Sequence, residues 1–345
     1  MKKDGTYKLF IIAAFIFILL MTGGMFAFGE QPEFATSARS AVVMERSSNR
    51  ILYEKNADEH LPMASTTKIV TAFTVINNCN LDDVVEIPPE ACGIEGSSIY
   101  LRSGEHLTVL ELLYGLMLRS GNDAAVALAL HTSGSIEKFA ELMNCTARKL
   151  GCVDSNFVNP HGLHDDNHYT SAKDLATITC EALKNPVFKK IVSARTYRIA
   201  NEGFEYDRVL VNKNKLLTNF EYADGVKTGY TKKAGRCFVG SATRNGMQVV
   251  VVVLNCGPMF EETESMLNTA FSNYRYVNVV PQNKVCGYIK KKGKNVYYVC
   301  RERFSYPIKD DETLTTEIEL NCDRQEIRIS LNGKLICSRD LTPLS

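Results

Sequence analysis

Ala64-Ser65-Thr66-Thr67-Lys68 is the stretch from which both the fold and the chemistry of the chain can be predicted. Apolar residues recur at helical spacing over the next turns, residues 69–76, so the pattern predicts a helix whose first turn carries Ser65 and Lys68. Residues three positions apart lie on the same face of a helix. A serine hydroxyl becomes an effective nucleophile when a base takes its proton, and a neutral lysine amine can be that base. The stretch therefore predicts a nucleophile and its activator within one helical turn.

The same Ser-x-x-Lys spacing occurs a second time, at Ser135-Ile136-Glu137-Lys138. There it opens another amphipathic segment, in which a serine that caps a helix and an exposed lysine explain the pattern without any chemistry. Because each copy by itself fits both interpretations, the spacing needs support from other residues before it indicates catalysis.

Length and composition set the outer limits for fold and function. The chain has 345 residues, more than one domain usually contains, and this predicts two domains. Its hydrophobic content of 45% is ample for a buried core. Its formal net charge of +1 argues against a general nucleic-acid-binding protein, which needs a basic surface. We therefore expect a globular protein without a nucleic-acid partner.

Residues 1–30 have the pattern of an export signal. A short segment with three lysines precedes an apolar run from Leu9 to Phe28, and small residues near Gly29 suit a cleavage site. The run is also long enough to cross a bilayer, so a retained anchor in the cytoplasmic membrane stays open as the alternative. Under both interpretations the basic end stays inside, and the protein body lies outside the cytoplasm.

The chain contains 11 cysteines, an odd number that cannot pair completely within one molecule. Their scattered positions include no Cys-x-x-Cys pair, which argues against a zinc cluster. We interpret most of them as small buried residues and leave some disulfides open. They are Cys79, Cys92, Cys145, Cys152, Cys180, Cys237, Cys256, Cys286, Cys300, Cys322 and Cys337.

A polar linker at residues 31–37 leads into a first folded region at 38–275. Strand patterns lie at both of its ends and helical patterns lie between them, which predicts an α+β fold with a sheet built from both ends of the region. The predicted strands are 40–45, 51–54, 236–243 and 247–254, the last two joined by the hairpin signal Asn245-Gly246. The predicted helices are 65–76, 108–118, 123–130, 135–150, 171–183 and 261–271.

The pattern changes beyond Pro281, where short strands alternate with turns and no helical period appears. We predict a small all-β second domain at residues 280–345, without catalytic groups. Its expected strands are 285–289, 296–300, 313–320, 326–331 and 334–338. A basic run at 290–294 is either a solvated strand end or a contact for an anionic wall polymer or lipid.

Two further motifs follow Ser65 and Lys68 along the chain. Taken alone, Ser120-Gly121-Asn122 is an ordinary turn and Lys227-Thr228-Gly229 is an ordinary strand end. In this order, the trio resembles the serine penicillin-recognising enzymes. Four longer stretches look like those of the D-alanyl-D-alanine carboxypeptidases, the low-molecular-mass penicillin-binding proteins. They are Tyr53-Glu54-Lys55-Asn56-Ala57, Gly121-Asn122-Asp123-Ala124-Ala125-Val126-Ala127, Asn159-Pro160-His161-Gly162-Leu163 and Gly225-Val226-Lys227-Thr228-Gly229-Tyr230-Thr231.

This resemblance covers roughly residues 38–271. It implies a β-lactamase/transpeptidase-like antiparallel sheet with helices, followed by the small all-β domain. It implies a serine-type enzyme that trims the terminal D-alanine from peptidoglycan stem peptides ending in D-Ala-D-Ala, at the outer face of a bacterial cell membrane or in the cell wall. β-Lactam antibiotics would inhibit it, and neither a metal nor another cofactor is needed.

The resemblance also implies a role for each motif residue. Ser65 attacks the carbonyl of the penultimate D-alanine, Lys68 is its base, and Ser120 relays a proton to the leaving amine. Asn122 holds the substrate amide. A positive charge at Lys227 lowers the pKa of the Lys68 amine.

The third motif completes the implied site. Lys227 attracts the substrate carboxylate, and Thr228 donates a hydrogen bond to it. Gly229 lets the strand approach the substrate closely. The backbone N–H groups of Ser65 and Tyr230 form the oxyanion hole.

Two features of the sequence leave alternatives open. The Glu-x-x-Leu-Asn signature of class A β-lactamases occurs only at 264–268, after the third motif, so we expect slow deacylation of penicillin rather than a β-lactamase-like hydrolase. Residues 257–260 lack the basic residue that usually helps to bind the substrate carboxylate. A catalytically retired wall-binding protein is the third interpretation, and the retained Ser65, Lys68 and Lys227 argue against it.

His161, His164 and His168, with Asp165 and Asp166, suggest a metal site, but a polar loop without a metal explains them as well, and we predict no metal.

Overall fold

One antiparallel sheet joins the strands from both ends of the first region. The computed structural model describes residues 32–200, 207–291 and 293–344, so the expectations for residues 1–30 lie outside the described residues. The strands of this sheet are β1 (Ser40–Glu45), β2 (Ile51–Lys55), β7 (Ala223–Thr231), β8 (Gly235–Arg244) and β9 (Met247–Leu254). Their order in the sheet is β2-β1-β9-β8-β7, and the registers pair Val43 with Val251 and Lys227 with Val239. The short strands of this region are β3 (Val84–Glu86), β4 (His106–Thr108), β5 (Thr196–Ile199) and β6 (Arg208–Val211).

Helices cover both faces of this sheet, and the valines of β9 show why. Successive side chains of a strand point to opposite faces. Val250 and Val252 pack into the larger hydrophobic cluster, whereas Val249 and Val251 pack into a second cluster on the other face. A strand that is buried on both faces has a continuous run of apolar residues, as β9 does. The sheet with helices on both faces confirms the predicted α+β fold.

The helices begin where the sequence supplies caps. Thr108 and Glu111 form the predicted capping box, and the side chains of Ser135 and Ser171 each accept a hydrogen bond from the first turn that follows. The helices are α1 (Lys68–Asn78), α2 (Val109–Tyr114), α3 (Asn122–Ser133), α4 (Ile136–Lys149), α5 (Ala172–Ala182), α6 (Pro186–Ser193), α7 (Leu216–Asn219) and α8 (Met259–Asn273).

The structure also contains elements that the sequence analysis missed. Helix α6 begins at the Asn185-Pro186 pair, where the Asn185 side chain accepts from two backbone N–H groups, yet the prediction placed irregular strands there. The signal was present, because Asn at the cap and Pro at the first helical position are both favoured. Residues 64–67 form a 3₁₀ turn rather than the first α-helical turn.

The chain beyond residue 274 is all-β, as predicted. A third hydrophobic cluster, which includes Tyr298, Phe304 and Ile327, fills its interior. Three of its strands were missed, namely Arg275–Val280, Phe304–Ile308 and the two-residue Thr342–Pro343, and Pro307 weakens the strand pattern of the second. The strands are β10 (Arg275–Val280), β11 (Lys284–Lys291), β12 (Lys294–Cys300), β13 (Phe304–Ile308), β14 (Leu314–Leu320), β15 (Gln325–Leu331), β16 (Lys334–Asp340) and β17 (Thr342–Pro343).

This β region packs directly on the first region, and residues 34–345 form one unit. The Arg50 guanidinium makes a salt bridge with Glu312 and lies over the rings of Tyr274 and Tyr306, about 5 Å from their centroids. All eleven cysteines are free thiols, and Cys322 is the one with an exposed side chain. Within the part of the chain that the structure describes, no helix has the length and apolar character needed to span a bilayer.

Candidate active site

A tight turn carries the predicted nucleophile. Ala64 has a left-handed backbone (φ 50°), and the Thr67 hydroxyl donates to the Ala64 carbonyl at 2.8 Å, which closes the turn around Ser65. Helix α1 then starts at Lys68. The Lys68 Nζ lies 3.0 Å from the Ser65 Oγ, as the helical spacing predicted, although the turn is 3₁₀.

Lys68 is fully buried, and its amine has two further partners. Nζ donates to the Asn122 Oδ1 at 2.7 Å and to the His161 carbonyl at 2.5 Å. Burial is the largest cause that lowers the Lys68 pKa well below its ordinary value, followed by the positive charges of Lys227 and Lys213. The sequence analysis attributed this lowering to Lys227 alone, so burial is the correction. An amine kept neutral in this way can accept a proton.

The second motif turns the chain toward Lys68. Ser120 is buried and left-handed (φ 65°) between a π-helical turn and α3, and the next turn places Asn122 at the amine. The buried Asp123 carboxylate accepts from the backbone N–H groups of Ile99 and Leu101, which holds the neighbouring loop in place. The sequence analysis gave Asp123 no role, although its position after Asn122 marks it as a first-turn acid.

The third motif lies on β7, against the nucleophile turn. A Cβ placed on Gly229 would come to 3.0 Å from the backbone nitrogens of Ser65 and Thr66, so a larger residue would push β7 away from this turn. Lys227 is buried, and burial together with the positive charge of Lys213 lowers its pKa to about 7. The Tyr230 side chain is exposed at the strand edge. All the predicted site residues therefore lie on three segments that meet around Ser65.

Lys213 is a cation that the sequence analysis missed. Its Nζ donates to the Ser97 Oγ at 2.9 Å, and its charge lowers the pKa of both Lys68 and Lys227. The Ser97 carbonyl in turn accepts from the Asn122 backbone N–H at 2.7 Å. No local pattern marks Lys213, because its importance depends on the packing of the segment after β6 beside the second motif.

Arg236 is a second cation that the sequence analysis missed. It stands opposite Tyr230 in the register of β7 and β8, and its Nη1 donates to the Gly257 carbonyl at 3.0 Å. Residues 257–260 contain no basic side chain themselves, which the sequence analysis noted as a departure. The neighbouring strand brings a guanidinium to that loop instead.

The loop that contains His161 packs against the turn that carries Ser65. The Lys68 amine bonds to the His161 carbonyl, and the Thr71 hydroxyl donates to the Pro160 carbonyl at 2.7 Å. A Cβ on Gly162, where φ is +85°, would overlap the Ala64 carbonyl oxygen. Residues 159–163, one of the stretches that resemble the family, therefore contact both the Ser65 turn and the Lys68 amine.

His168 contacts the same turn through the Thr67 hydroxyl. Its Nδ1 accepts from the Val158 backbone N–H at 3.1 Å, and its Nε2 lies 2.8 Å from the Thr67 Oγ1. Because the Thr67 hydroxyl already donates to Ala64, it accepts from Nε2–H, which assigns the tautomer. Burial lowers the His168 pKa to about 4, so the ring is neutral near pH 7. Within the described ranges, no group of three or more potential ligands could hold a metal ion.

Comparisons with known proteins agree with this geometry. The sequence profile of the D-alanyl-D-alanine carboxypeptidase family, peptidase S11, matches residues 27–257. The chain is 37% identical over 295 residues to the D-alanyl-D-alanine carboxypeptidase DacF of Bacillus subtilis, covering 81% of this chain and 75% of that one. It is 34% identical to DacC of Escherichia coli, covering 78% and 69% of the two chains.

Solved structures give the same result. Penicillin binding protein 5 from Haemophilus influenzae superposes with a TM-score of 0.78 at 27% identity, over 92% of this chain and 99% of that one. The Streptomyces K15 DD-transpeptidase superposes with a TM-score of 0.66 at 32% identity, over 69% and 99% of the two chains. The first match extends over the β region as well, whereas the second spans only about the length of the first region.

Proposed function

Because the chain belongs to the D-alanyl-D-alanine carboxypeptidase family, and is a serine-type enzyme of that family, we propose that Ser65 is its nucleophile and Lys68 its base. The observation that carries this proposal is the 3.0 Å separation of Lys68 Nζ and Ser65 Oγ in a buried site. A neutral amine has two N–H groups and one lone pair. Asn122 and the His161 carbonyl take the two N–H groups, which leaves the lone pair for the Ser65 proton.

The acylation step follows from these positions. Ser65 Oγ attacks the carbonyl carbon of the penultimate D-alanine while Lys68 takes the hydroxyl proton. The negative oxygen that develops is bound by the backbone N–H groups of Ser65 and Tyr230, and losing one such donor typically costs about 10²–10³ in rate. The C–N bond then breaks, and Ser120 passes a proton to the amine of the departing D-alanine. Asn122 holds the substrate amide.

Deacylation returns the enzyme to its starting state. A water molecule attacks the acyl-Ser65 ester, and the released serine regains a proton. In class A β-lactamases a glutamate between the second and third motifs activates this water. Here Glu264 lies on α8, whose buried residues pack in the second hydrophobic cluster, and it has no place in the site. We therefore expect a long-lived penicilloyl-enzyme, which disfavours the β-lactamase alternative.

The substrate carboxylate is bound by the edge formed by β7 and β8. We infer that Thr228 donates a hydrogen bond to it, that Lys227 supplies positive charge, and that Arg236 takes the part of the basic residue missing at 257–260. Arg236→Gln is expected to raise KM about tenfold to 100-fold for a peptide ending in D-Ala-D-Ala, with kcat little changed, because a charge-assisted bond contributes about 1.5–3 kcal/mol. Steady-state kinetics test this, with Arg244→Gln on the same strand as control. A change in kcat alone would exclude this role.

The test of the function combines two measurements. Purified protein should release D-alanine from a pentapeptide ending in D-Ala-D-Ala and should be labelled covalently by a fluorescent penicillin. Ser65→Ala should abolish both signals. Rapid penicillin turnover without a lasting adduct would favour a β-lactamase, and absence of both signals from the native protein would favour a retired wall-binding protein.

The enzyme acts on peptidoglycan, and its relatives are cell-wall enzymes, which agrees with action outside the cytoplasm. We propose that residues 1–30 direct export, as a cleaved signal peptide or as a retained membrane anchor, that 38–275 form the catalytic domain, and that 280–345 form the β domain. The apolar run from Leu9 to Phe28 fits both forms of the N-terminal segment. Sequencing the N-terminus of the mature protein distinguishes them, since a start near Glu30 would show cleavage.

A further inference from the structure

The hairpin of β11 and β12 concentrates positive charge on the β region. Residues 281–300 contain five lysines and no acidic residue, although the whole chain has a net charge of only +1. The register pairs Tyr288 with Tyr297, Lys290 with Asn295, and Lys291 with Lys294 at the tip. The fold therefore gathers Lys290, Lys291 and Lys294 at the tip of a single two-stranded element.

The described lysines of this hairpin have no acidic partners. Lys290, Lys291 and Lys294 are exposed, and none of the three forms an ion pair with another described residue. The Lys291 Nζ donates to the Tyr298 hydroxyl at 2.8 Å, which keeps its charge. An unpaired cluster of cations that repel one another costs free energy unless an anion compensates it.

The neighbouring sheet of β14, β15 and β16 treats its charges in the opposite way. Arg328 bonds to Glu326 at 2.7 Å and to Glu319 at 2.9 Å, and Arg324 lies within 4 Å of both carboxylates. The same small region thus pairs Arg324 and Arg328 of one sheet with carboxylates and leaves Lys290, Lys291 and Lys294 of the other without an acidic partner among the described residues. This contrast points to an external anionic partner for the hairpin.

Aromatic and apolar side chains accompany the lysines. The rings of Tyr288 and Tyr297 lie 5.7 Å apart across the hairpin and are 51% and 45% exposed. Val285 and Leu344 are also about half exposed, and the Leu344 backbone N–H donates to the Tyr297 carbonyl, which places Leu344 beside the pair. Tyrosine rings next to lysines are typical of the boundary between a membrane and water, where the ring enters the headgroup layer and the ammonium stays wet.

We propose that the tip of this hairpin, with Tyr288, Tyr297 and Lys290 on one face and Lys291 and Lys294 on the other, docks the enzyme on an anionic phospholipid bilayer. Lipid phosphates compensate the three ammonium groups, and the interfacial layer takes up the tyrosine rings. A polyanionic wall polymer would satisfy the charge and leave the exposed rings in water, so the bilayer accounts for more of the surface. Docking through the β region would hold the catalytic site at a defined height above the membrane that the enzyme faces.

Vesicle binding tests the proposal. Residues 34–345 form a unit of their own that holds the three hydrophobic clusters, so the chain from Pro32 onward is used and the apolar N-terminal run does not contribute. It should bind vesicles that contain phosphatidylglycerol, bind pure phosphatidylcholine vesicles weakly, and lose affinity as salt is added. Replacing Lys290, Lys291 and Lys294 by Gln should weaken binding about 100-fold. Tyr288→Ser with Tyr297→Ser should weaken binding about tenfold and leave the salt dependence intact.

Matched controls separate the proposal from general electrostatics. Replacing three exposed lysines of the first region, Lys149, Lys189 and Lys190, by Gln should leave binding within about twofold of the native value. D-Alanine release from a soluble pentapeptide should be unchanged in every variant. Hydrogen exchange in residues 284–300 should slow on phosphatidylglycerol vesicles and stay unchanged on phosphatidylcholine.

Three outcomes would overturn docking on lipid. They are equal binding by the hairpin variant and the native chain, equal binding to both kinds of vesicle, and binding to a soluble poly(glycerol phosphate) without binding to vesicles. The last outcome would assign the surface to an anionic polymer instead.

Discussion

The two Ser-x-x-Lys stretches share a spacing but differ in the burial of the lysine and in the hydrogen-bond partner of the serine. Lys68 is fully buried with its Nζ 3.0 Å from Ser65 Oγ, whereas Lys138 lies in solvent. The Ser135 hydroxyl accepts instead from the backbone N–H of Lys138 at 3.2 Å, as the cap of α4. One serine faces an amine and the other faces a backbone donor. A catalytic pair therefore requires that burial and neighbouring cations make the amine a base.

The comparison also concerns the backbone that presents each serine. Ser65 follows a left-handed Ala64 in a turn that Thr67, His168 and Gly162 hold from three sides. Ser135 has ordinary extended dihedral angles and is held by its own helix. Strained positions persist where the surrounding structure over-determines them, and they cluster at active sites. Variants at the two stretches should therefore differ in kind as well as in size.

The largest expected difference lies between the two serines. Ser65→Ala should lower D-alanine release by at least about 10⁴-fold, because nothing else can form the acyl-enzyme. Ser135→Ala should leave kcat/KM unchanged, and covalent penicillin labelling of both variants provides the measurement. A labelled Ser65→Ala protein would mean that another serine carries the acyl group.

His168→Ala tests the support of the turn and should have the next largest effect. It leaves the Val158 N–H and the Thr67 hydroxyl without their partner, and each loss of this kind costs about 1–3 kcal/mol when buried. We expect the penicillin acylation rate and kcat to fall about tenfold with little change in KM. His168→Gln can make both bonds and should restore most of the rate. If the Gln variant is as slow as the Ala variant despite native thermal stability, positioning by this hydrogen bond is excluded.

Lys213→Gln tests the effect of the cations that lie near Lys68 and have no counterpart near Lys138. The Lys213 charge lowers the pKa of Lys68 and of Lys227, so its removal raises both. Lys68 must be neutral to act, and the acidic limb of kcat/KM should move to higher pH. Lys227 must be charged to attract the carboxylate, so the alkaline limb of the kcat/KM profile should also move to higher pH. At a pH on the acidic limb, kcat/KM should fall about twofold. Lys189→Gln is the control, and limbs that move in opposite directions would contradict this account.

The smallest effect belongs to the second copy. Ser135→Ala removes an N-cap and should cost about 1 kcal/mol in the free energy of unfolding, which lowers Tm by about 1–2 °C in a chain of this size. Ser135→Asp keeps a capping oxygen and should retain the native Tm. Thermal unfolding measures both, and a stability loss in the Asp variant equal to that of Ala would show that the cap is not what the serine provides.

Local patterns were a sound guide to the elements and a poor guide to the site's surroundings. The capping box at Thr108, the hairpin at Asn245-Gly246 and the alternating faces of β9 depend on neighbours within a few residues. Helix α6 was missed although its Asn-Pro start was visible, because its eight residues are too short to show a clear period. Lys213, Arg236 and the bond of His168 to Thr67 have no local signature.

The sequence by itself determined the order of the three motifs, the fold class and the family, because caps, periodicity and motif residues are written within single segments. Only the tertiary structure decided which Ser-x-x-Lys pair has a buried amine. Lys68 meets Asn122 and His161 from 54 and 93 positions away. The low dielectric and the neighbouring charges that change a lysine into a base come from that packing, and no spacing along the chain can specify them.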